Sequence, residues 1–290
     1  MTDILQILAN GIPAGMMYAL VALGIVLIHN GTNVVHFGYG EQVTLAAYVA
    51  LVLQLILHFP FWVACVASIV LSALFGLLIY VGVLAPLRRT PLIVQVIATL
   101  AIGLGVREGL RAYMGPDPWN FPSLVPNSVY AIGGVYITAA NLAVVTISLL
   151  LAGALFGFFR WSRYGHAILA ACESPRGASI VGVSVRQVSA SIWVLASVLA
   201  AVAAFLMAPI LTLSPEMGLI AIKGFCAAVL GGFVSLPGAI VGGVLLGLIE
   251  TTAGFYVSTA MKDVVSYAVL IAVVMFMPQG LLGKRQVKKV

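Results

Sequence analysis

Long stretches of this chain carry almost no charge, and that limits what it can become. Seven apolar runs, 11–29, 34–57, 61–83, 92–111, 137–159, 189–211 and 263–281, are long enough to cross lipid, since a spanning helix needs roughly 20 predominantly apolar residues. An eighth region, 225–257, is equally apolar but interrupted by Gly and Pro. Charged residues make up 8% of the chain, against about 25% in a soluble domain. Backbone exposed to lipid must satisfy its own hydrogen bonds, which leaves helices or a closed barrel. Barrel strands alternate apolar and polar residues over about 10 positions, and these runs do not alternate. The expected fold is an all-α polytopic membrane protein of about eight hydrophobic segments. One or two of them are broken or re-entrant, in an internally repeated bundle.

The net charge of +6 would raise the question of nucleic acid in a soluble protein. Here the basic residues fall between the runs and at the C-terminus, where the excess of Lys and Arg on cytoplasmic loops accounts for them. With Lys284, Arg285, Lys288 and Lys289 inside, counting back puts Arg88 and Arg89 inside as well. Arg160, Arg163, Arg176 and Arg186 follow. Ten of the fourteen basic residues are then cytoplasmic. Arg107, Arg111, Lys223 and Lys262 lie near outer ends. The count holds only if 225–257 enters from outside, turns near Ser235-Leu236-Pro237-Gly238 and returns. The N-terminus is then outside.

The chain reads as one membrane domain over residues 1–290. The longest outer loop, 112–136, is rich in proline and suits an ordered cap; the longest inner one, 160–188, is too short for a soluble domain. The start, MTDILQILANGIPAG, lacks the basic region of a cleaved signal peptide. Cys65, Cys172 and Cys226 are far apart and read as free thiols. The histidines have no ligand spacing, so no metal site is expected. A phosphate-binding GxxxxGK[ST] loop is absent, and no catalytic set is visible, so an enzymatic role is not expected.

A weak internal echo runs through the chain. A span ending at His29 leads into a Gly-rich polar stretch, Gly31 to Glu41. A later span ending near Leu211 leads into Ser214-Pro215-Glu216-Met217-Gly218 and then 225–257. Paired interruptions in corresponding halves are where transporters place their central pathway. Ionisable or polar groups near the interruptions are therefore candidate pathway residues: Glu41, Gln42, Gln95, Thr99 and Lys223. Glu41 admits a pathway or a capping role. Thr99 equally fits an interhelical hydrogen bond, and Glu250 reads as a capping residue. Glu108 and Arg111, three apart, can pair on one helix face.

Glycines one turn apart let helix backbones approach closely in lipid. The pairs Gly11/Gly15, Gly153/Gly157, Gly238/Gly242 and Gly243/Gly247 have that spacing, and simple packing explains most of them. Gly231, Gly232, Pro237, Gly238, Gly242 and Gly243 are expected to form the tight turn and packing face of the interrupted segment. The inner stretch RWSRYGHAILAACESPRGASIVGVSVRQV, 160–188, is amphipathic. Ser174-Pro175 can open a short helix with proline at its first position. Such a helix, lying at the inner membrane face, is shaped to dock on a cytoplasmic partner, although a solvated connecting loop would read much the same.

Four stretches resemble one family, the permease subunits of branched-chain amino-acid ABC importers: GIPAGMMYALVALGIVLIHNGTNVVHFGYGE (11–41), Gly165 to Val185, KGFCAAVLGGFVSLPGAIVGGVLLGLIE (223–250) and MPQGLLG (277–283). They occur in the family's order. His36 is displaced from the family's histidine position. The resemblance implies a single transmembrane permease domain, half of an import pathway in a bacterial inner membrane, with the N-terminus outside and the C-terminus cytoplasmic. It implies a homologous second permease subunit, two cytoplasmic ATP-binding subunits carrying the ATP and magnesium, and an extracytoplasmic substrate-binding protein. It implies no cofactor on this chain, and it makes Ser174, Pro175, Arg176, Ala178, Ser179 and Gly182 the ATPase coupling helix. Branched-chain or other hydrophobic amino acids lead as cargo. Urea, short amides or aromatic acids stand as alternatives, as does an ion-coupled secondary transporter, although only Glu41 and Glu250 offer buried carboxylates for ion coupling. A non-transporting scaffold is a third class.

Overall fold

The computed structural model describes residues 2–126 and 128–283; the basic tail at Lys284, Arg285, Lys288 and Lys289 lies outside the described residues. Eight helices among those described are long and apolar enough to cross a membrane. The first is α1, Thr2–Thr32, followed by α2, Tyr39–Ile56. Next come α3, Phe61–Leu87, and α4, Leu92–Met114. A two-stranded antiparallel hairpin follows, β1 Val129–Ile132 and β2 Val135–Thr138. It gives the expected outer cap a regular structure that its proline content did not announce. Then come α5, Ala139–Trp161, two short helices α6, Arg163–Glu173, and α7, Pro175–Ile180, and α8, Val185–Leu211. A 3₁₀ turn, Pro215–Leu219, leads to α9, Ile220–Gly231. The chain ends with α10, Leu236–Tyr256, a 3₁₀ turn Thr259–Met261 and α11, Lys262–Phe276.

Two boundaries differ from expectation. The third span runs on through a π-helical turn, Tyr80–Leu84, to Leu87, past the end of its apolar run at 83. Pro86 does not end it, because proline is tolerated in the first turn of the new α segment Ala85–Leu87. The stretch 160–188 is mostly helix rather than loop. Serines start its pieces: Ser162 Oγ accepts from Gly165 N–H, Ser174 Oγ from Gly177 N–H and Ser184 Oγ from Gln187 N–H, each satisfying a free donor of a helix's first turn.

The chain forms two compact units. One comprises residues 1–26, 124–148 and 220–290, the other 27–123 and 149–219. In the first, α9 and α10 form an antiparallel hairpin and α11 packs on both. The hairpin has no room for side chains along its seam. A Cβ on Gly231 would strike the Gly238 carbonyl, and one on Gly242 would strike the Ala227 carbonyl and come within 2.6 Å of Gly231 N. The outer face of α10 is as close to α1: a Cβ on Gly15 would lie 2.6 Å from Val244 Cα, and one on Gly243 2.6 Å from Ala19 N. Gly153, by contrast, meets nothing within 4 Å.

Ser235 caps α10, its Oγ accepting from Gly238 N–H at 3.1 Å, with Pro237 in the first turn. Gly232 has a positive φ of 106°, which a residue with a side chain would adopt only under strain. Beyond α11, Leu281 and Leu282 N–H donate to the carbonyls of Leu230 and Gly231, both at 2.9 Å. The α9–α10 turn therefore lies at the same end as the C-terminal end of α11. At 1.5 Å per residue, the 21 residues of α10 reach about 31 Å and the 12 of α9 only about 18 Å. Only α10 matches the hydrocarbon thickness of about 30 Å.

In the second unit, α2, α3 and α8 pack mutually, and α4 lies along α2. Small residues and hydroxyls hold this bundle together. Ser68 Oγ donates to the Ala46 carbonyl at 2.5 Å and Ser72 Oγ to the Ser197 carbonyl at 3.0 Å.

Candidate functional site

The second unit brings its two non-helical breaks together. After α1 the chain passes through Asn33, at a positive φ of 56°, and runs irregularly to Gly38 before α2 begins. Gly38 crosses α4 at Gly103: a Cβ on Gly103 would lie 2.7 Å from Gly38 Cα, and one on Gly38 3.0 Å from Gly103 Cα. Gly103 is the central residue of α4, so the crossing falls near the middle of a spanning helix. The other break, after α8, arrives at the same place. A Cβ on Gly218 would lie 3.0 Å from both Glu41 N and the Gly40 carbonyl carbon. Glycine on all three backbones is what permits the approach.

Four of the polar residues singled out in the sequence have a defined position here. Thr99 Oγ1 donates to Val96 O at 2.9 Å, lies 3.5 Å from Val35 O and accepts from Phe37 N–H at 3.4 Å. It ties the first break to α4. Gln42 is buried and donates through Nε2 to Ser197 Oγ at 2.6 Å. Gln95 Nε2 donates to Thr90 O at 3.1 Å, bracing the start of α4. Glu41, half-buried, holds its Oε2 3.2 Å from where a Gly103 Cβ would stand. Tyr39 OH donates to the Ala196 carbonyl at 2.8 Å. His36 is fully buried against Trp193, ring centroids 4.8 Å apart, and faces Gln42. The remaining Gln42 oxygen and the Trp193 indole N–H are buried without a well-formed hydrogen bond among the described residues. At one rim, Arg111 bridges Glu108 at 3.1 Å, as its spacing implied, and also Glu216 of the 3₁₀ turn.

Lys223 is not part of this group. It belongs to the first unit, where Nζ is 2.8 Å from both Glu250 Oε1 and Asp263 Oδ1 and stands 5.5 Å from the Tyr18 ring centroid. Ser266 Oγ donates to Glu250 Oε2 at 3.1 Å. The capping role expected of Glu250 is therefore replaced: it sits inside α10, buried, and pairs with a cation.

The short helices α6 and α7 present a distinct surface. Ser174 starts α7, and its Oγ is 3.2 Å from Gly177 N. Ser179 Oγ donates back to the Pro175 carbonyl at 2.8 Å, and Ala178 is buried. Gly182 ends the turn at a positive φ of 85°. Ile180, Val181 and Trp161 are more than three-quarters exposed, although all three are apolar. Arg176 is also exposed. In α6, burial pushes the Cys172 thiol up to about 11, with Glu173 adding to the shift.

Residues 7–274 match the family described as branched-chain amino acid transport system, permease component. The chain belongs to that permease family. It is 32% identical over 301 residues to the high-affinity branched-chain amino acid transport system permease protein LivH of Escherichia coli, covering 99% of this chain and 97% of that one. It is 31% identical to BraD, of the same description, from Pseudomonas aeruginosa, over 99% and 98%. It is 27% identical to a probable LivH of Methanocaldococcus jannaschii, over 96% and 92%. The structure of PsaBC from Streptococcus pneumoniae in complex with Fab aligns over 93% of this chain and 91% of that one, at 11% identity and a TM-score of 0.49, too loose to bear on the reading.

As a permease of this family, the chain is a multi-pass membrane component of an ABC system rather than an enzyme, and ATP is handled by a partner ATPase. The candidate site of this permease has features that its sequence did not reveal. Ser197 and Trp193 read only as members of an apolar run. Gly103 and Gly218 were visible as glycines, but nothing in the order of residues paired them with Gly38 and Gly40.

Proposed function

We propose that the chain forms one half of the import pathway for branched-chain or other hydrophobic amino acids. All of 1–290 acts as one permease domain with a homologous second subunit, two cytoplasmic ATP-binding subunits and an extracytoplasmic binding protein. The observation that carries the pathway is the meeting of the two breaks at the start of α2, with Gly38 against Gly103 and Gly218 against Gly40 and Glu41. Substrate sites of transporters lie near the midplane where helices are discontinuous. Glu41 presents a carboxylate at that convergence to the ammonium of an amino acid. Gln42, Gln95 and Thr99 hold the surrounding backbone, and Lys223 steadies the first unit.

Coupling falls to Ser174, Pro175, Arg176, Ala178, Ser179 and Gly182. The apolar Ile180 and Val181 beside them are anchors for the ATPase, because exposed apolar groups on a polar inner face mark a contact surface. Ligand-driven switching needs contacts that differ between states, and this surface supplies them. The proposed orientation has the N-terminus outside and the C-terminus in the cytoplasm. It agrees with the basic residues on 160–188 and with an α9–α10 turn on the side where α11 ends. In this reading 225–257 enters and returns, with α10 as the outward crossing.

Uptake of labelled leucine in cells lacking their own importer, supplied with the whole system, tests this. Ile180→Asp with Val181→Asp is expected to abolish uptake and co-purification of the ATPase while membrane insertion stays normal. Undiminished uptake would remove the coupling assignment. Glu41→Gln is expected to lower uptake with the complex intact. Competition by urea or an aromatic acid, but not by valine, would redirect the cargo.

A further inference from the structure

A cavity of about 330 Å³ opens in the first unit where α1, α10 and the turn before α11 come together, lined among others by Ile7, Asn10, Thr251, Phe255, Thr259 and Lys262. Its floor is apolar and its rim consists of an amide, two hydroxyls and an ammonium. No carboxylate lines it, so its chemistry favours an anion over a cation. Gln6, also in the lining, is already committed, since its Nε2 donates to Tyr136 O at 3.0 Å and its Oε1 accepts from Tyr136 N–H at 2.9 Å.

Lys262 is the decisive member. Its neighbour Asp263 is engaged with Lys223 at 2.8 Å, and Lys262 itself has no ion-pair partner among the described residues. Its stem lies across α10 at Gly254, where an added Cβ would strike Lys262 Cε and come within 3.1 Å of Cγ. A side chain there would displace the lysine, so Gly254 fixes the direction of the stem. The cavity sits at the ends of two spanning helices, the level of lipid headgroups, and Phe255, Val264 and Ile271 are more than half exposed on α10 and α11.

We propose that this cavity binds the phosphate of an anionic phospholipid, with Lys262, Asn10 and Thr259 around the headgroup and an acyl chain along Phe255 and α11. The proposal rests on the membrane reading and not on the cargo. Free phosphate offers the same charge but nothing to the apolar floor.

The purified permease with its accompanying subunits, reconstituted in phosphatidylglycerol, in phosphatidylcholine and in an equal mixture, would be released into native mass spectrometry. Wild type is expected to retain phosphatidylglycerol selectively. Lys262→Gln should lower its retention about fivefold, the effect of one basic residue at an anionic surface, and Lys262→Arg should restore it. Equal retention by wild type and Lys262→Gln would overturn the site. Displacement of the lipid by millimolar inorganic phosphate would overturn the lipid as its occupant. Loss of retention in Lys262→Arg as well would show that the lysine acts through packing, and would also overturn the proposal.

Discussion

Among the described residues each unit contains one cluster of opposite charges, and the two clusters differ mainly in burial. Lys223, Glu250, Asp263 and Ser266 join α9, α10 and α11, with the Lys223 and Glu250 side chains 18% and 8% exposed. Arg111, Glu108 and Glu216 join α4 to the 3₁₀ turn, with Arg111 and Glu216 42% and 43% exposed. Geometry is comparable and consequence is not. An exposed pair is weakened by solvent and salt, whereas a buried ion that loses its partner stays desolvated and uncompensated. The buried cluster determines how three helices lie together; the exposed one trims the edge of a break that glycine contacts already hold.

The sharpest way to break this contrast is Glu250→Leu. It leaves the Lys223 ammonium with only the exposed Asp263, and should destabilise the permease by about 3–5 kcal/mol, read as a lower melting temperature in detergent. The double variant Lys223→Met with Glu250→Leu should recover most of that. A single variant as stable as wild type would show that the cluster is not the restraint described.

The seam of the same hairpin comes next. Gly242→Leu forces a side chain into the Ala227 and Gly231 backbones, and overpacking costs about 1–3 kcal/mol or more. Gly153→Leu, facing open space, should leave melting unchanged, although both glycines belong to the same kind of sequence pair. Ser174→Ala removes the cap of α7, an effect of about 1 kcal/mol, and should lower leucine uptake without changing insertion.

The smallest effect is expected at the exposed cluster. The hydrogen bond from Arg111 holds the Glu216 carboxyl below its usual range. The stabilisation it supplies is fully present above the unfolded value near 4.5 and is lost as pH falls through the lowered folded value. Arg111→Ala should therefore narrow its difference from wild type only in that acid window, in melting curves between about pH 3 and 7. A deficit of equal size at every pH would mean that Arg111 acts through packing instead.

Much of the architecture could be read from residue order. The apolar runs defined the spans because lipid admits few ways to satisfy a backbone, and Ser174-Pro175 announced α7 because capping depends on adjacent residues. The stretch 165–185 and the segment 223–250 also carried the family resemblance. Failures came where the physics is not local. Glu250 read as a cap because its partner is 27 positions away, and the outer cap gave no sign that strands β1 and β2 would pair.

The sequence alone determined that this protein is a helical membrane protein, because hydrophobic length and helix caps act over one turn or one span, and its resemblance to a family implied a permease. Tertiary structure decided which glycines meet backbone and which face open space, that Lys223 is ion-paired while Lys262 has no ion pair among the described residues, and that the breaks after α1 and α8 meet at the start of α2. Those outcomes depend on distances between residues far apart in the chain, and spacing along a chain does not encode them.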